Sequence, residues 1–259
     1  MRLGGLEAGG TKMVLCVGDE KGEIFEQISI PTGTPAETVP DIIKWFSDKN
    51  IEALGIGCFG PVDVSPASPT YGQILDTPKL PWVHYDLLKE LQKEIKVPMK
   101  IDTDVNGSCL GEMVFGCAKG IDSVVYVTIG TGIGGSVILD GKLLNGIGYT
   151  AGEIGYMDVN GNHIQNIASS KYLVEKVQKE KREKEGITDA ITGVDIFELA
   201  KKGDEICIAA IDEIISNLSV GIRNIMYLLN PEVIVIGGGI TAQKEYLEEK
   251  IRKEVNDGM

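Results

Sequence analysis

The sequence predicts an α/β fold built from two related halves, and three junctions between an apolar strand and a glycine turn predict it. The most developed is Val124–Ile138, VVYVTIGTGIGGSVI. Its β-branched run, Val124 to Val127, reads as a buried strand. Thr128-Ile129-Gly130-Thr131-Gly132-Ile133-Gly134-Gly135 reads as the turn, and Ser136-Val137-Ile138 as the returning strand. The second junction, Leu3 to Val17, repeats strand, Gly/Thr turn and strand around Gly9-Gly10-Thr11-Lys12, with Glu7 at the end of its first strand. In the third, Val233 to Ile236 runs into Gly237-Gly238-Gly239. Alternating glycines let backbone N–H groups surround an anion, and the threonines add hydroxyl donors. One such turn ordinarily only reverses the chain. Three at these separations suggest two halves facing one ligand.

Composition narrows the partners. The 259 residues suffice for one large domain or two modest ones, and 43% hydrophobic content is ordinary for a globular protein. A net charge of −13 disfavours nucleic acid and anionic membranes, which select basic surfaces. It leaves room for a nucleotide, whose charge a few amides and one metal ion neutralise locally. No apolar run reaches membrane-span length, and a strand begins at Leu3 with no signal peptide ahead of it. Cys16, Cys58, Cys109, Cys117 and Cys207 form no C-x-x-C pair and sit in apolar surroundings. Buried, reduced thiols of a cytoplasmic protein are expected, with neither disulfides nor a zinc site.

The elements between the turns follow in order. Ile24 to Ile30 reads as the third strand of a meander. Thr34 and Glu37 form a capping-box pattern with Pro35 at the first helical position, so a helix carries Ile42, Ile43, Trp45 and Phe46, with Pro40 in its first turns. Ala53 to Cys58 is a short strand leading to Phe59-Gly60-Pro61-Val62-Asp63. A Pro-, Ser- and Thr-rich loop runs to about Pro81, Asp86 caps a helix bearing Leu87, Leu88, Leu91 and Ile95, and Val97 to Ile101 is the next strand.

That strand delivers Asp102-Thr103-Asp104-Val105-Asn106 into a helix running to about Cys117. Carboxylates at a strand's C-terminal end, beside a helix N-terminus, sit where α/β folds place their sites. Asp is also a favoured N-cap, so for one of the two carboxylates a purely structural role stands level with a chemical one. Asp104 is the candidate for chemistry; Asp102 reads as a cap or an orienting partner. Further on, Ala151-Gly152-Glu153-Ile154-Gly155-Tyr156 holds a Gly-flanked acid that is either functional or a solvated turn residue. Lys171 to Glu185 reads as a charged, solvated helix of alternating sign. From Asp204 a long helix carries Cys207, Ile211, Ile214, Leu218, Ile222, Ile225 and Leu229 near helical period, with Gly221 allowing close packing. Asn230-Pro231 ends it, and a charged helix closes the chain.

Taken together, Glu-Ala-Gly-Gly-Thr-Lys at 7–12, Gly-Pro-Val-Asp at 60–63, Thr-Asp-Val-Asn at 103–106, Thr-Ile-Gly-Thr-Gly-Ile-Gly at 128–134 and Ile-Gly-Gly-Gly-Ile at 236–240 resemble the ROK family of sugar kinases. The resemblance covers nearly the whole chain. It implies a two-lobed actin-like (ribonuclease H-like) ATPase fold, mixed sheets flanked by helices, with an N-terminal lobe at 1–116 and a C-terminal lobe at 117–259. It also implies phosphorylation of a hexose hydroxyl by ATP with Mg²⁺, in a protein that pairs as a homodimer. In this scheme Gly9, Gly10, Thr11, Lys12, Thr128, Gly130, Thr131 and Gly132 hold phosphates, and Gly237, Gly238 and Gly239 pass under the adenosine end. Lys12 either offsets charge on the transferring group or faces solvent. Glu7 holds Mg²⁺ through water, as that ion's reluctance to dehydrate favours. Asp104 takes the proton of the sugar hydroxyl, and Gly60, Thr103, Asn106 and Glu153 contact the sugar.

The first half looks like the fructokinase branch: Glu7 stands where most of the family has Asp, and Tyr71-Gly72, Thr77-Pro78-Lys79 and Trp82-Val83-His84-Tyr85 follow that pattern. The second half departs from it. Tyr156 replaces a zinc-binding His, no cysteine lies between Cys117 and Cys207, and Gln165 stands where a sugar-binding Glu aligns. Residues 151–157 look more like the zinc-less β-glucoside kinase branch. The chain also stops soon after Gly239, where the family continues into a further helix. Fructose is therefore the leading substrate, with glucose or a β-glucoside next. Two rivals are a non-catalytic sugar sensor, whose helix-turn-helix has no room ahead of Leu3, and an inactive remnant.

Overall fold

The computed structural model describes all residues, Met1–Met259. Two compact units emerge: Met1–Gly120 with Asn145–Tyr149, and Ile121–Leu144 with Thr150–Met259.

In the first unit, β1 (Leu3–Ala8) turns through Gly9 and Gly10 into antiparallel β2 (Lys12–Gly18), which pairs with β3 (Ile24–Pro31). α1 (Pro35–Phe46) leads to β4 (Ala53–Cys58), parallel to β1, and β5 (Met99–Thr103) adds parallel to β4 after α2 (Leu87–Glu94). The sheet order is β3-β2-β1-β4-β5, a meander extended by parallel strands as the ribonuclease H-like fold requires. α3 (Asp104–Val114) follows β5 without a loop. Strand alternation puts Leu6, Met13, Leu15, Leu54, Ile56 and Ile101 into one core with Ile42, Leu87, Leu91 and Trp82. The opposite side of β1 and β4 carries Gly5, Glu7, Gly55 and Gly57 instead, and α3 closes onto it: a Cβ on Gly107 would stand 3.8 Å from the Gly57 Cα.

The second unit repeats the device. β6 (Val124–Ile129) turns through Gly130–Gly132 into antiparallel β7 (Ile133–Leu139), then β8 (Lys142–Leu143). The small ribbon β9 (Asp158–Val159) and β10 (Asn162–His163) precedes α4 (Gln165–Ala168), α5 (Ser170–Glu185), α6 (Gly193–Lys201) and the 25-residue α7 (Glu205–Leu229). β11 (Val233–Gly237) lies parallel to β6, and α8 (Lys244–Asp257) ends the chain. The internal correspondence reaches individual residues. Glu7 of β1 pairs with Gly57 of its parallel neighbour, as Thr128 of β6 pairs with Gly237.

Local chemistry explains most boundaries. The Glu37 carboxylate accepts from both the N–H and the hydroxyl of Thr34, and α1 starts at Pro35 and runs through Pro40. Asp204 caps α7 by accepting from the Cys207 N–H, and Asn230 ends it in the left-handed region at φ 44°. Gly221 does permit close packing: a Cβ there would lie 2.4 Å from Ile164 Cδ1.

Several expectations need correction. The turn after β6 is Gly130–Gly132 alone, because Gly134 and Gly135 pair with Thr128 and Val127 in the ladder. α3 stops at Val114, short of Cys117, because the Glu112 carboxylate accepts the Cys117 N–H and turns the chain. β5 begins at Met99, after a proline that has no N–H to give. Asp86 stands at the N-cap of α2, yet its carboxylate pairs with Lys89 and makes no cap hydrogen bond. Cys117 is exposed and Cys16 half-buried; Cys58, Cys109 and Cys207 are buried. The alternating helix α5 is not uniformly solvated either: Lys181 is buried and bonds Asp204 Oδ2 at 2.6 Å. No helix is long and apolar enough to cross a membrane.

Candidate active site

Register builds the first half-site. Glu7, Gly57 and Asp102 form one row across the parallel strands β1, β4 and β5, and Ala8, Cys58 and Thr103 form the next. At the end of β5, Thr103 caps α3, its Oγ1 accepting from the Asn106 N–H at 3.1 Å. Asp102 is thereby free to orient rather than cap: its Oδ1 accepts from the Thr103 N–H at 2.8 Å and from Asn106 Nδ2 at 2.6 Å. Asn106 is buried and held by these two bonds.

Asp104 opens α3 half-buried. Its Oδ1 accepts from the Val105 N–H at 2.9 Å. Desolvation raises its pKa and the Glu7 carboxylate adds to the rise, against the opposing hydrogen bond from Val105. A carboxylate held this way is a stronger base than a solvated one. Glu7 itself is exposed. Gly60 is exposed as well, and a Cβ there would meet only the Val62 nitrogen at 3.8 Å, so its lack of a side chain serves no internal contact.

The turn after β1 is tied down by its carbonyls. Thr32 Oγ1 donates to the Gly9 oxygen at 2.8 Å and the Thr32 N–H to the Thr11 oxygen at 3.0 Å. Gly9 closes the hairpin by donating to Lys12 O at 3.1 Å. The N–H groups of Gly10 and Thr11 donate to nothing in the protein. Lys12 and Thr11 are exposed.

The second unit holds the other expected residues. In the turn after β6, Gly130 donates to Gly132 O at 2.9 Å, Ser170 donates to Gly130 O at 2.8 Å, and the Thr131 and Gly132 N–H groups stay uncommitted. Glu153 is exposed at the start of a short 3-10 turn, Ile154–Tyr156. Its segment is pressed onto β7: a Cβ on Gly155 would fall 2.1 Å from Ile133 O, and one on Gly135 would fall 2.7 Å from Gly152 O. The Gln165 side-chain oxygen lies between the same elements, 3.4 Å from the Cβ position of Gly132 and 3.2 Å from that of Gly155.

The three glycines after β11 divide by role. A Cβ on Gly237 would meet the Tyr126 hydroxyl at 1.9 Å, and one on Gly238 would meet Ile129 O at 2.6 Å and Thr128 Oγ1 at 2.7 Å. Gly239 alone has nothing within 4 Å. Gly237 and Gly238 are thus demanded by packing, and Gly239 presents open backbone. The structure groups no three His, Cys, Asp or Glu side chains for a metal. Tyr156, at the expected histidine position, stands edge-on to His163 at 5.4 Å.

Reading the residues alone missed three contributors. Gly57 gives α3 its approach, Thr32 fixes the Gly9 turn, and Lys79 lies over Gly10. Gly57 left a trace in the alternation Gly55-Ile56-Gly57, and Lys79 stands in the Thr77-Pro78-Lys79 pattern, to which the reading gave no site role.

Comparison with known proteins follows the same lines. The ROK family model matches residues 3–259. A fructokinase of Streptococcus mutans is 34% identical over 259 residues, covering 98% of this chain and 86% of the relative. A ROK family glucokinase from Streptomyces griseus, solved with glucose and AMPPNP, superposes with a TM-score of 0.81 at 27% identity, covering 98% of this chain and 88% of that one. A ROK family protein from Streptococcus pneumoniae in complex with sucrose gives 0.85 at 28% identity, covering 99% and 86%.

Proposed function

The chain belongs to the ROK family, and on that premise we propose that it is an ATP-dependent hexose kinase whose preferred acceptor is D-fructose, phosphorylated on the 6-hydroxyl. The observation that carries this reading is Asp104. It is a half-buried carboxylate of raised basicity at the β5–α3 junction, in the unit whose Gly10–Thr11 turn offers uncommitted N–H groups. The likeness to a named fructokinase and to a kinase solved with a sugar and an ATP analogue supports it.

The chemistry asked of the protein is mostly positioning and charge neutralisation. The acceptor oxygen attacks the γ-phosphorus, the bond from that phosphorus to the ADP oxygen breaks, and the hydroxyl proton passes to Asp104. Asn106, held by Asp102 and Thr103, and Glu153 orient sugar hydroxyls; Gly60 exposes backbone beside them. Gly9 to Thr11, with Lys12, and Thr128 to Gly132 bind phosphate oxygens, and Gly239 supports the adenosine end. Glu7, an exposed single carboxylate, suits a Mg²⁺ ion that keeps most of its water, and that ion would neutralise phosphate charge.

A coupled assay for ADP release across fructose, glucose, mannose and a β-glucoside tests the reading. Fructose is expected to give the highest kcat/KM. Absence of sugar-stimulated ADP release would overturn the kinase assignment, and preference for glucose would overturn only the acceptor.

A further inference from the structure

Among the buried and half-buried lysines, Lys49, Lys176, Lys181 and Lys250 each pair with a carboxylate. Lys79 does not, although it is half-buried in a chain with 38 acidic residues against 25 basic ones. It lies along the Gly9–Thr11 turn instead: a Cβ on Gly10 would stand 2.8 Å from Lys79 Cε and 3.8 Å from its Nζ. Gly10 is therefore covered by the stem of a cation, next to the two N–H groups that bond nothing in the protein.

The lysine is also firmly based. Its N–H donates to Thr77 Oγ1 at 3.4 Å, and its carbonyl accepts from the Trp82 N–H at 2.8 Å. Trp82 is 1% exposed, donates its indole N–H to Gly33 O at 2.9 Å, and stands edge-on to Phe59 and Tyr85. An irregular loop thus delivers one ammonium to one turn from a fixed anchor, which lowers the entropy lost when it binds a ligand.

We propose that Lys79 binds the triphosphate of the nucleotide at the Gly10–Thr11 turn, supplying the positive charge that the turn's amides lack. This rests on the kinase reading and adds a residue to it. The carboxylates of Glu7 and Asp104 make this end of the unit acidic, and an ammonium with no carboxylate of its own offsets their repulsion toward phosphate.

The test compares wild type with Lys79→Met, Lys79→Arg, Gly10→Ala and the double variant Gly10→Ala/Lys79→Met. Each is measured by steady-state kinetics, by calorimetric titration with Mg-ATP and with sodium tripolyphosphate in the absence of sugar, and by melting. Met keeps the stem that covers Gly10, so melting should be unchanged. Loss of a charge-assisted hydrogen bond should weaken tripolyphosphate binding and kcat/KM for ATP about 10- to 100-fold, with KM for fructose little altered. Arg should recover part of the loss. Gly10→Ala pushes the stem aside and should act in the same direction, and the double variant should be no worse than Lys79→Met alone. Wild-type tripolyphosphate affinity in Lys79→Met overturns the inference while leaving the kinase reading intact. If wild type shows no sugar-stimulated ADP release but loses tripolyphosphate binding on Lys79→Met, the kinase reading falls and the anion contact stands. A wild type that binds neither Mg-ATP nor tripolyphosphate overturns both.

Discussion

A Cβ on Gly57 would stand 3.3 Å from the Cα of Asp104. That spacing is what lets α3 begin directly over β4, in the row shared by Glu7 and Asp102. The neighbour is helix backbone, which cannot rotate away as a side chain would. Gly57→Ala is therefore expected to displace the first turn of α3, lowering stability by about 1–3 kcal/mol as overpacking does. Turnover should fall further than stability does, because small displacements of a positioned base are costly. Thermal melting beside kcat measures the two losses separately; unchanged kcat would show that Asp104 does not depend on this contact.

Asp104→Asn should keep sugar and ATP binding but lose about 10²–10⁴-fold in kcat. The pKa of Asp104 is raised, first by desolvation and then by Glu7, so its protonation favours the folded state below the unfolded pKa. That stabilisation is lost as pH rises through the folded value, and at neutral pH the ionised group is a burden. The Asn variant should then melt no lower than wild type at pH 7. In the wild type, kcat should decline as pH falls through the raised pKa. Calorimetry, melting and a pH–rate profile check the three parts.

The glycines after β11 give a contrast within one turn. Gly237→Ala places a methyl against the Tyr126 hydroxyl and ring, so it should destabilise the second unit. Gly239→Ala meets nothing within 4 Å and should leave melting unchanged. If Gly239 supports the adenosine end, its variant should instead raise KM for ATP several-fold. Differential scanning calorimetry and ATP titrations on both variants distinguish packing from binding.

The strands and their turns were legible because β-branched runs and glycines act locally. Thr34, Pro35 and Glu37 announced α1, and Asp204 and Asn230 bracketed α7, for the same reason. The ROK resemblance was legible because each motif is a short contiguous run, and the ROK family model matches residues 3–259. Residues that act across sequence distance were hidden. Asp102 and Thr103 are both competent caps, and only the bond from Asn106 Nδ2 to Asp102 decides that Thr103 takes the role. Lys79 sits in a loop whose composition says merely irregular, and its meaning comes from Gly10, on the far side of three strands and a helix. Lys181 looked solvated because its neighbours in α5 alternate in charge, whereas its partner lies at the start of another helix.

That last pair carries its own consequence. Lys181 is 4% exposed and bonds Asp204 Oδ2 at 2.6 Å and Glu185 Oε2 at 3.0 Å, while Asp204 Oδ1 caps α7. The Asp204 hydrogen bond raises the lysine pKa. Desolvation pushes Asp204 up, but Lys181 and the Cys207 N–H outweigh it and hold the carboxyl below its ordinary value. Its contribution is therefore present above the unfolded aspartate pKa of about 3.9 and lost as pH falls through the lower folded value. Asp204→Ala removes the cap and leaves the buried ammonium with Glu185 alone, so a loss of up to about 3–5 kcal/mol is expected. Lys181→Met removes the buried charge itself and should cost less. The double variant should lose much less than the sum of the two single losses, since no buried ammonium is then left short of its partner. Urea unfolding of all four proteins at pH 7 checks the ordering. A loss confined to Asp204→Ala, with Lys181→Met near wild type, would show that the cap of α7, and not the ion pair to α5, carries the stability.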